Sequence, residues 1–439
     1  MNSPLKHFAD LRDPRVERTR EHLLEEILLI AIAAILSGAN GWNEIEDYAH
    51  SEHDWFQSFL TLPGGIPSHD TFNRVFSALD PEELEKGFVA WVSSIAKLTA
   101  GEVVAIDGKT GVPSDRSSSL GWKTGVPSDR SSSLGWKTGV PSDRSSSLGW
   151  KTGVPSDRSS SLGWKTGVPS DRSSSLGWKT LRGASEPSKK GPDKKAIVHR
   201  VSAWANTNCL VLGQRLVDEK SNEITAIPKL LDALELTGTV VTIDAMGCQR
   251  AIAEKIIAKK ADDILAVKEN QGHLLEEIKD SFQMLAADAV EEEIDYGHGR
   301  VEQRRCSVIA DLSLIEKAAE WASLQGIVRI QSERFHKATG KTETEIRYYI
   351  TSLAPDAMRL NRSIRQHWGI ENKLHWVLDV GFGEDLDRKR AGHAAQNFSV
   401  LNRIALNLLK QDKTSKRGVH GMRLKAGWDN DYLLHLLGN

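Results

Sequence analysis

The sequence predicts an α/β protein: a mixed sheet flanked by helices, preceded by an all-α N-terminal region. Three observations carry that reading. Residues 1 to about 98 are helical in texture throughout. From Gly101 short β-branched runs take over, and two of them, Val103-Val104-Ala105-Ile106 and Val240-Val241-Thr242-Ile243, end in Asp. Thereafter strand-like and helical stretches alternate, as they do around a central sheet.

Taken in order, Thr19 to Leu36 reads as one long helix, stopped by Ser37-Gly38. A second begins near Trp42 and runs through Ile45, Tyr48 and Ala49. Pro67-Ser68-His69-Asp70 opens a third, with Ser68 as its N-cap, and Pro81-Glu82-Glu83 starts a fourth. Such helices could contact DNA as a helix-turn-helix does or simply pack as a cap, and Arg74 alone does not make a recognition helix. Past Gly101, Ile197 to Ala205 and Cys209 to Val217 form an antiparallel hairpin turned near Asn206-Thr207-Asn208. Ile224 to Leu236 is an amphipathic helix. After the strand ending at Asp244 come a helix (Gln249 to Lys260), a strand (Ile264 to Val267) and a helix (His273 to Met284). Strand-like stretches follow at Val301 to Ile309, Gly326 to Glu333 and Glu345 to Thr351. The chain is helical again from Asp356 to about Val377 and from Ala391 to Leu409.

The first strand is followed by an interruption. The 14-residue unit GVPSDRSSSLGWKT occurs five times without a change, from Gly111 to Thr180. Without the block the chain reads AIDGKT-LRGASEP. Each unit offers only Val, Leu and Trp as large apolar groups against four Ser and two Gly. That is too little burial to offset ordering entropy, so the block reads as a flexible tandem expansion. A stacked mini-solenoid or a ligand-binding array is the competing reading, although solenoid units run to roughly 20–50 residues.

Setting the block aside leaves 369 of 439 residues, enough for two or three domains. The formal charge is −2; each repeat contributes +1, so the remainder stands at −7. An acidic balance does not suggest a general nucleic-acid coat protein, but it allows local basic patches. Three separated cysteines, Cys209, Cys248 and Cys306, form no CxxC pattern and suggest neither a zinc site nor a disulfide framework, which fits a reducing cytoplasm. The N-terminal segment MNSPLKHFADLRDPR lacks the pattern of a secretory signal. The apolar stretch Ile27 to Leu36 is too short to span a bilayer and reads as a core helix.

The chemistry is expected at carboxylates. Asp107 and Asp244 each end a buried strand, at the rim of a sheet, where hard oxygen ligands can hold Mg²⁺. Two ions roughly 3.5–4 Å apart clamp the attacking and leaving oxygens of a phosphoryl transfer. A third carboxylate is available in IRQHWGIENKLHWVLDVGFGEDLDR. There Glu371, His375 and Asp379 recur every four residues on one helix face, among Trp368, Ile370, Leu374 and Trp376. A carboxylate among aromatic groups calls for a partner or a metal.

Many phrases, in order, carry a resemblance: AIDGKT…LRG, VSAWANTNCLVLGQ, VDEKSNEITAIPKLLDAL, TIDAMGCQ, LAVKENQ, GHGRVEQRR, IRQHWGIENKLHWVLDVGFGED and GHAAQNFSVLNRIALNLLK. The chain resembles the H-repeat-associated insertion-sequence transposases, a bacterial DDE family with a ribonuclease-H-like catalytic domain, over nearly all its length outside the repeats. The resemblance implies that Asp107, Asp244 and Glu371 are the catalytic, metal-holding triad. It implies a helical associated domain at 1–98, a catalytic domain at 101–415 interrupted by 111–180, and a tail at 416–439. Related DDE enzymes carry Tyr-x2-Arg-x3-Glu-x6-Lys around the glutamate; counted from Glu371 those positions hold Ile364, His367 and Leu378, with Arg365 and Lys373 nearby but off register.

The resemblance thus implies a transposase that cuts and joins the ends of its element with two Mg²⁺ (or Mn²⁺) ions. Its partner would be double-stranded DNA, both element ends and target, with a homo-oligomer on DNA possible and no membrane. It would reside in the bacterial cytoplasm, at the nucleoid when DNA-bound. Lys109, Arg182, Lys268, Arg300, Arg304, Arg365 and Lys373 are expected to grip phosphates, with Lys189, Lys190, Lys194 and Lys195 as further basic groups. Two other readings stay open: a DNA-binding relic disrupted by the insert, and a metal-dependent nuclease without strand transfer.

Overall fold

The computed structural model describes residues 3–110, 199–217, 222–297 and 299–438. The repeat block, with Arg182, Lys189, Lys190, Lys194 and Lys195, lies outside them, as does the expected start of the hairpin at Ile197.

The N-terminal helices are α1 (Leu24–Leu36), α2 (Trp42–Ser51), α3 (His53–Gln57), α4 (His69–Ala78) and α5 (Pro81–Ile95). Ser68 caps α4 as expected, its Oγ accepting from the Thr71 amide at 3.3 Å. Asp80 caps α5, its Oδ1 accepting from the Glu82 amide at 2.9 Å, with Pro81 in the first turn. The first long helix starts at Leu24, later than the Thr19 that periodicity predicts. The Arg15 guanidinium, paired with Asp13, donates to the His22 carbonyl at 2.7 Å. That carbonyl is therefore held outside the helix, and a short 3₁₀ turn at Glu17–Thr19 stands in its place.

Among the described residues nine strands form one sheet in the order β3-β2-β1-β4-β5-β9-β8-β7-β6. In chain order, β1 is Val103–Thr110, β2 His199–Ala205, β3 Leu210–Val217, β4 Val240–Ile243 and β5 Asp262–Val267. The remaining four are β6 (Ala289–Gly297), β7 (Arg300–Ile309), β8 (Gly326–His336) and β9 (Lys341–Thr351). β1, β4 and β5 are parallel; the other pairings are antiparallel. Helices α6 (Glu223–Ala233), α7 (Arg250–Ala258) and α8 (Gly272–Met284) connect the central strands. The chain closes with α9 (Ala357–His367), a π-helical turn (Glu371–His375), α10 (Trp376–Phe382), α11 (Ala394–Gln411), α12 (Val419–Ala426) and α13 (Asn430–Leu437). This is the mixed, helix-flanked sheet of the expected ribonuclease-H-like fold.

One strand is absent from the sequence expectation. Strand β6 carries Glu291, Glu292, Glu293 and Asp295, and most of it is exposed on both faces, so it has no apolar alternation to announce it. It is held instead by pairing with β7 and by countercharge, with Arg305 facing Glu292 at 3.5 Å. The 416–439 tail is largely helical, and Tyr432, Leu433, Leu436 and Leu437 bury in the same core as α1.

Helix α11 binds the two regions together. Its residues Ala394–Ala395 and Asn397–Leu409 are buried. Asn397 donates to the carbonyls of Phe76 (2.8 Å) and Leu79 (2.9 Å) at the end of α4. Asn407 exchanges two 2.9 Å bonds with the backbone of Val211, where β3 bulges against β2. These amides satisfy backbone groups that the sheet and helices leave open.

One buried carboxyl makes stability pH-dependent. Asp263 on β5 is buried, and burial pushes its carboxyl up to about 7, against a 3.0 Å hydrogen bond from the Ser352 amide. The folded pKa lies above the unfolded one, so this contribution is complete at low pH and is lost as pH rises from about 4 to about 7. Asp263→Asn is expected to gain on the parent over that interval, by at most about 4 kcal/mol. Melting temperatures of the two proteins from pH 4 to pH 8 measure it; parallel curves would refute it.

Candidate active site

Strands β1 and β4 lie side by side and parallel, with Ile106 opposite Ile243. The residues that follow, Asp107 and Asp244, therefore occupy adjacent positions on one edge. Asp107 does not end its strand. β1 continues to Thr110 because β2 keeps pairing with it, from Ser202 opposite Asp107 to His199 opposite Thr110. Asp107 is thus a tip residue relative to β4 and a mid-strand residue relative to β2. Asp244 ends β4 and caps a 3₁₀ turn, its Oδ1 accepting from the amides of Met246 (3.1 Å) and Gly247 (3.3 Å). Asn270 and Gln271, from LAVKENQ, brace that turn by donating to the carbonyls of Ala245 (2.6 Å) and Cys248 (2.8 Å). Burial pushes the Cys248 thiol up to about 12, which keeps it a neutral packed residue.

Glu371 arrives from the opposite side on the π-helical turn, a distortion that recurs at functional sites. Asp107, Glu371 and His375 offer ligand atoms that all lie within 4.8 Å of one another. His375 Nδ1 is 3.7 Å from Asp107 Oδ2 and 3.6 Å from Glu371 Oε2. The His375 ring is buried, and its Nε2 has no hydrogen-bond partner among the described residues. Asp379, the third residue of the expected helical face, is engaged elsewhere. It pairs with Lys109, whose ammonium also lies 3.5 Å from Asp385. Burial pushes Asp379 up to about 6 against the pull of Lys109.

The electrostatics are those of crowded carboxylates. Burial, then the charges of Glu371 and Asp244, raise the Asp107 carboxyl well above its ordinary range. Burial and the charge of Glu223 raise Asp244, while two backbone hydrogen bonds and Lys268 pull it back. Glu371 moves the other way, lowered first by its hydrogen bond with His375. Burial takes the nearby His367 ring down to about 4, so it is neutral, and it shares a 2.9 Å hydrogen bond with Thr242.

The expected phosphate contacts divide. Lys268, Arg300 and Lys373 are exposed. Arg304 is buried in the sheet, where desolvation lowers its pKa; it is not a surface contact. Lys109 is committed to Asp379 and Asp385. Arg365 is ion-paired with Asp295 and, at 3.4 Å, with Glu293, so it ties α9 to β6. Arg182 lies outside the described residues.

A further buried carboxylate packs on the other face of β1 from Asp107. Glu223, first residue of α6, is 9% exposed and bonds His199 Nε2 at 2.7 Å through Oε1. A Cβ on Gly108 would overlap that carboxylate and meet His199 Nε2 at 2.9 Å.

The family described as Transposase DDE domain matches residues 168–408, and the family described as DDE_Tnp_1-associated matches residues 5–92. "Putative transposase YncI" of Escherichia coli O157:H7 is 33% identical over 447 residues, spanning 100% of this chain and 95% of that protein. "H repeat-associated putative transposase YhhI" of Escherichia coli strain K12 is 32% identical over 441 residues, spanning 99% of this chain and 97% of that protein. A shorter relative from strain K12, "Inactive transposase YbfQ", is 38% identical over 73 residues, 17% of this chain.

Proposed function

Since the chain belongs to the H-repeat-associated DDE transposases, we propose that it cuts and rejoins the DNA ends of its own element, with Asp107, Asp244 and Glu371 holding two Mg²⁺ or Mn²⁺ ions. The observation that carries the reading is the meeting of Asp107 and Glu371, which are 264 positions apart in the chain, with Asp244 in register on the adjoining strand. The donor set fits a hard divalent cation, since the ligands are carboxylate oxygens with one imidazole. When bound, the ions supply Lewis-acid activation of the attacking water or 3′-hydroxyl and stabilise the leaving oxygen.

The chain's own residues prepare that site. Two amides fix Oδ1 of Asp244, and Oδ2 has no hydrogen bond among the described residues. Asp107 is held by its pairing with Ser202 of β2, directly after the last β1–β4 pair. Glu371 is half exposed and is steadied by His375. Lys109 neutralises Asp379, so that this further acidic group of the helix does not add charge to the cleft. Exposed Lys268, Arg300 and Lys373 remain to contact phosphates. Supercoiled plasmid offered with Mg²⁺ tests the reading; no cleavage by a folded protein would leave a DNA-binding relic. Pre-cut element ends offered with a target plasmid separate a transposase from a nuclease, since only the former joins them.

The repeats extend the connection between β1 and β2. Its ends, Thr110 and His199, are cross-strand partners, so 88 residues bridge two positions that a short turn could join. Deleting Gly111 to Thr180 and rejoining Thr110 to Leu181 should give a folded protein more stable by about 1–2 kcal/mol, from the logarithmic cost of loop closure. Cleavage activity should rise or stay level. Denaturant titration measures the change, and a deletion variant that melts markedly lower would mean that the repeats pack.

A further inference from the structure

His375 deepens the reading just given and rests on it. Three observations single out its ring. It is 3% exposed and closes the π-helical turn that Glu371 opens. Its Nδ1 lies 3.7 Å from Asp107 Oδ2 and 3.6 Å from Glu371 Oε2, so one nitrogen faces a carboxylate from each side of the cleft. Its Nε2 has no hydrogen-bond partner among the described residues. The backbone of the turn is tied to β1 as well, since Lys109 Nζ donates to the His375 carbonyl at 3.5 Å.

The distances bear on what the ring is for. A full-strength hydrogen bond from a ring nitrogen to a carboxylate spans about 2.7–3.2 Å. Both contacts of Nδ1 are longer than that. Bond lengths of about 2.0–2.2 Å place neighbouring ligands of one ion roughly 3–3.6 Å apart. The two nitrogen–oxygen distances sit close to that spacing, and the three ligand atoms all lie within 4.8 Å of one another. The ring is also free to present a lone pair at Nδ1. A donor bonded to Nε2 would force the proton onto Nδ1 and exclude a metal there, and among the described residues Nε2 meets none. A buried imidazole without a short bond costs free energy, which coordination would offset.

We propose that His375 is a direct ligand, through Nδ1, of the divalent ion that Asp107 and Glu371 share, and that this nitrogen biases the position toward first-row transition ions over Mg²⁺. Mg²⁺ takes oxygen ligands and keeps its waters, whereas transition ions accept imidazole as well. The two ion positions then differ in preference, since Asp244 has no histidine beside it in the same group.

The experiment is electron spin-echo envelope modulation of the full chain with substoichiometric Mn²⁺ and no DNA. A directly bound imidazole couples its nitrogen to the ion. The parent should show that coupling and His375→Gln should lack it. Isothermal titration gives a second readout. His375→Gln should bind Mn²⁺ at least about tenfold more weakly, in the range by which ligand-shell changes alter metal affinity, while Mg²⁺ affinity changes less. Bound Mn²⁺ without nitrogen coupling in the parent, or a folded variant that keeps both coupling and affinity, would overturn the proposal. Where His375→Gln does not fold, Asp107→Asn decides, because the ring and Asp107 share one ion and the coupling should go with it; a coupling that survives belongs to another histidine and ends the proposal. The same variant separates the two readings. If Asp107→Asn loses the ion but the parent shows no nitrogen coupling, His375 alone is misassigned. If Asp107→Asn binds Mn²⁺ as the parent does, the active-site reading falls and this proposal with it.

Discussion

Replacing Asp244 by Asn is expected to abolish Mg²⁺-dependent DNA cleavage, by at least about 10³-fold, while leaving the fold and DNA binding nearly intact. The substitution is close to isosteric. The asparagine keeps a side-chain oxygen, so the hydrogen bonds from the Met246 and Gly247 amides survive and the turn stays capped. What goes is one negative charge in a cleft whose carboxylates already repel. The metal-free variant should therefore melt at or above the parent, because Asp244 is one of the charges that raise Asp107. Loss of cleavage with unchanged or higher melting temperature marks a ligand; loss of both marks a structural residue. An Asn variant that cuts at the normal rate would remove Asp244 from the site.

The parts of this architecture governed by local chemistry were legible in the sequence. Ser68 and Pro81 start helices by mechanisms that depend only on their neighbours. The buried runs before Asp107 and Asp244 are apolar on both faces, as central parallel strands must be. What escaped was set by partners distant in sequence. Strand β6 is acidic and exposed, and only β7 makes it a strand. Arg304 looks like a surface cation until the sheet closes over it. Glu371, His375 and Asp379 share a face only in a regular helix; the π turn keeps the first two together, and Lys109 claims the third. Glu223 carried no pattern of its own, and only the fold brings it to His199.

The largest loss of stability is expected from Arg403→Ala. Arg403 is 0% exposed, and its Nη1 contacts Glu384 Oε1 at 2.8 Å and the Ser399 carbonyl at 3.1 Å. Arg200 reaches the same Glu384 oxygen at 3.3 Å, and Ser399 Oγ lies 3.1 Å from it. Burial alone would raise the Glu384 carboxyl, but the two guanidinium groups outweigh it and hold the carboxyl well below its ordinary range. Removing Arg403 leaves that carboxylate buried with one charged partner, a loss of about 3–5 kcal/mol against a total of roughly 5–15. Arg403→Lys should lose less, since it keeps the charge and gives up the planar fork. The damage should reach the chemistry as well. Glu384 follows the left-handed Gly383 that ends α10, so the network ties the helix behind Glu371 to β2 and α11. With that tie cut, Glu371 is held less firmly, and cleavage should fall by more than the unfolded fraction explains. Denaturant titration beside cleavage rates per folded molecule measures both effects. Parent-like stability in Arg403→Ala would show that the buried network contributes nothing net, and parent-like rates in a destabilised variant would show that it does not position the helix.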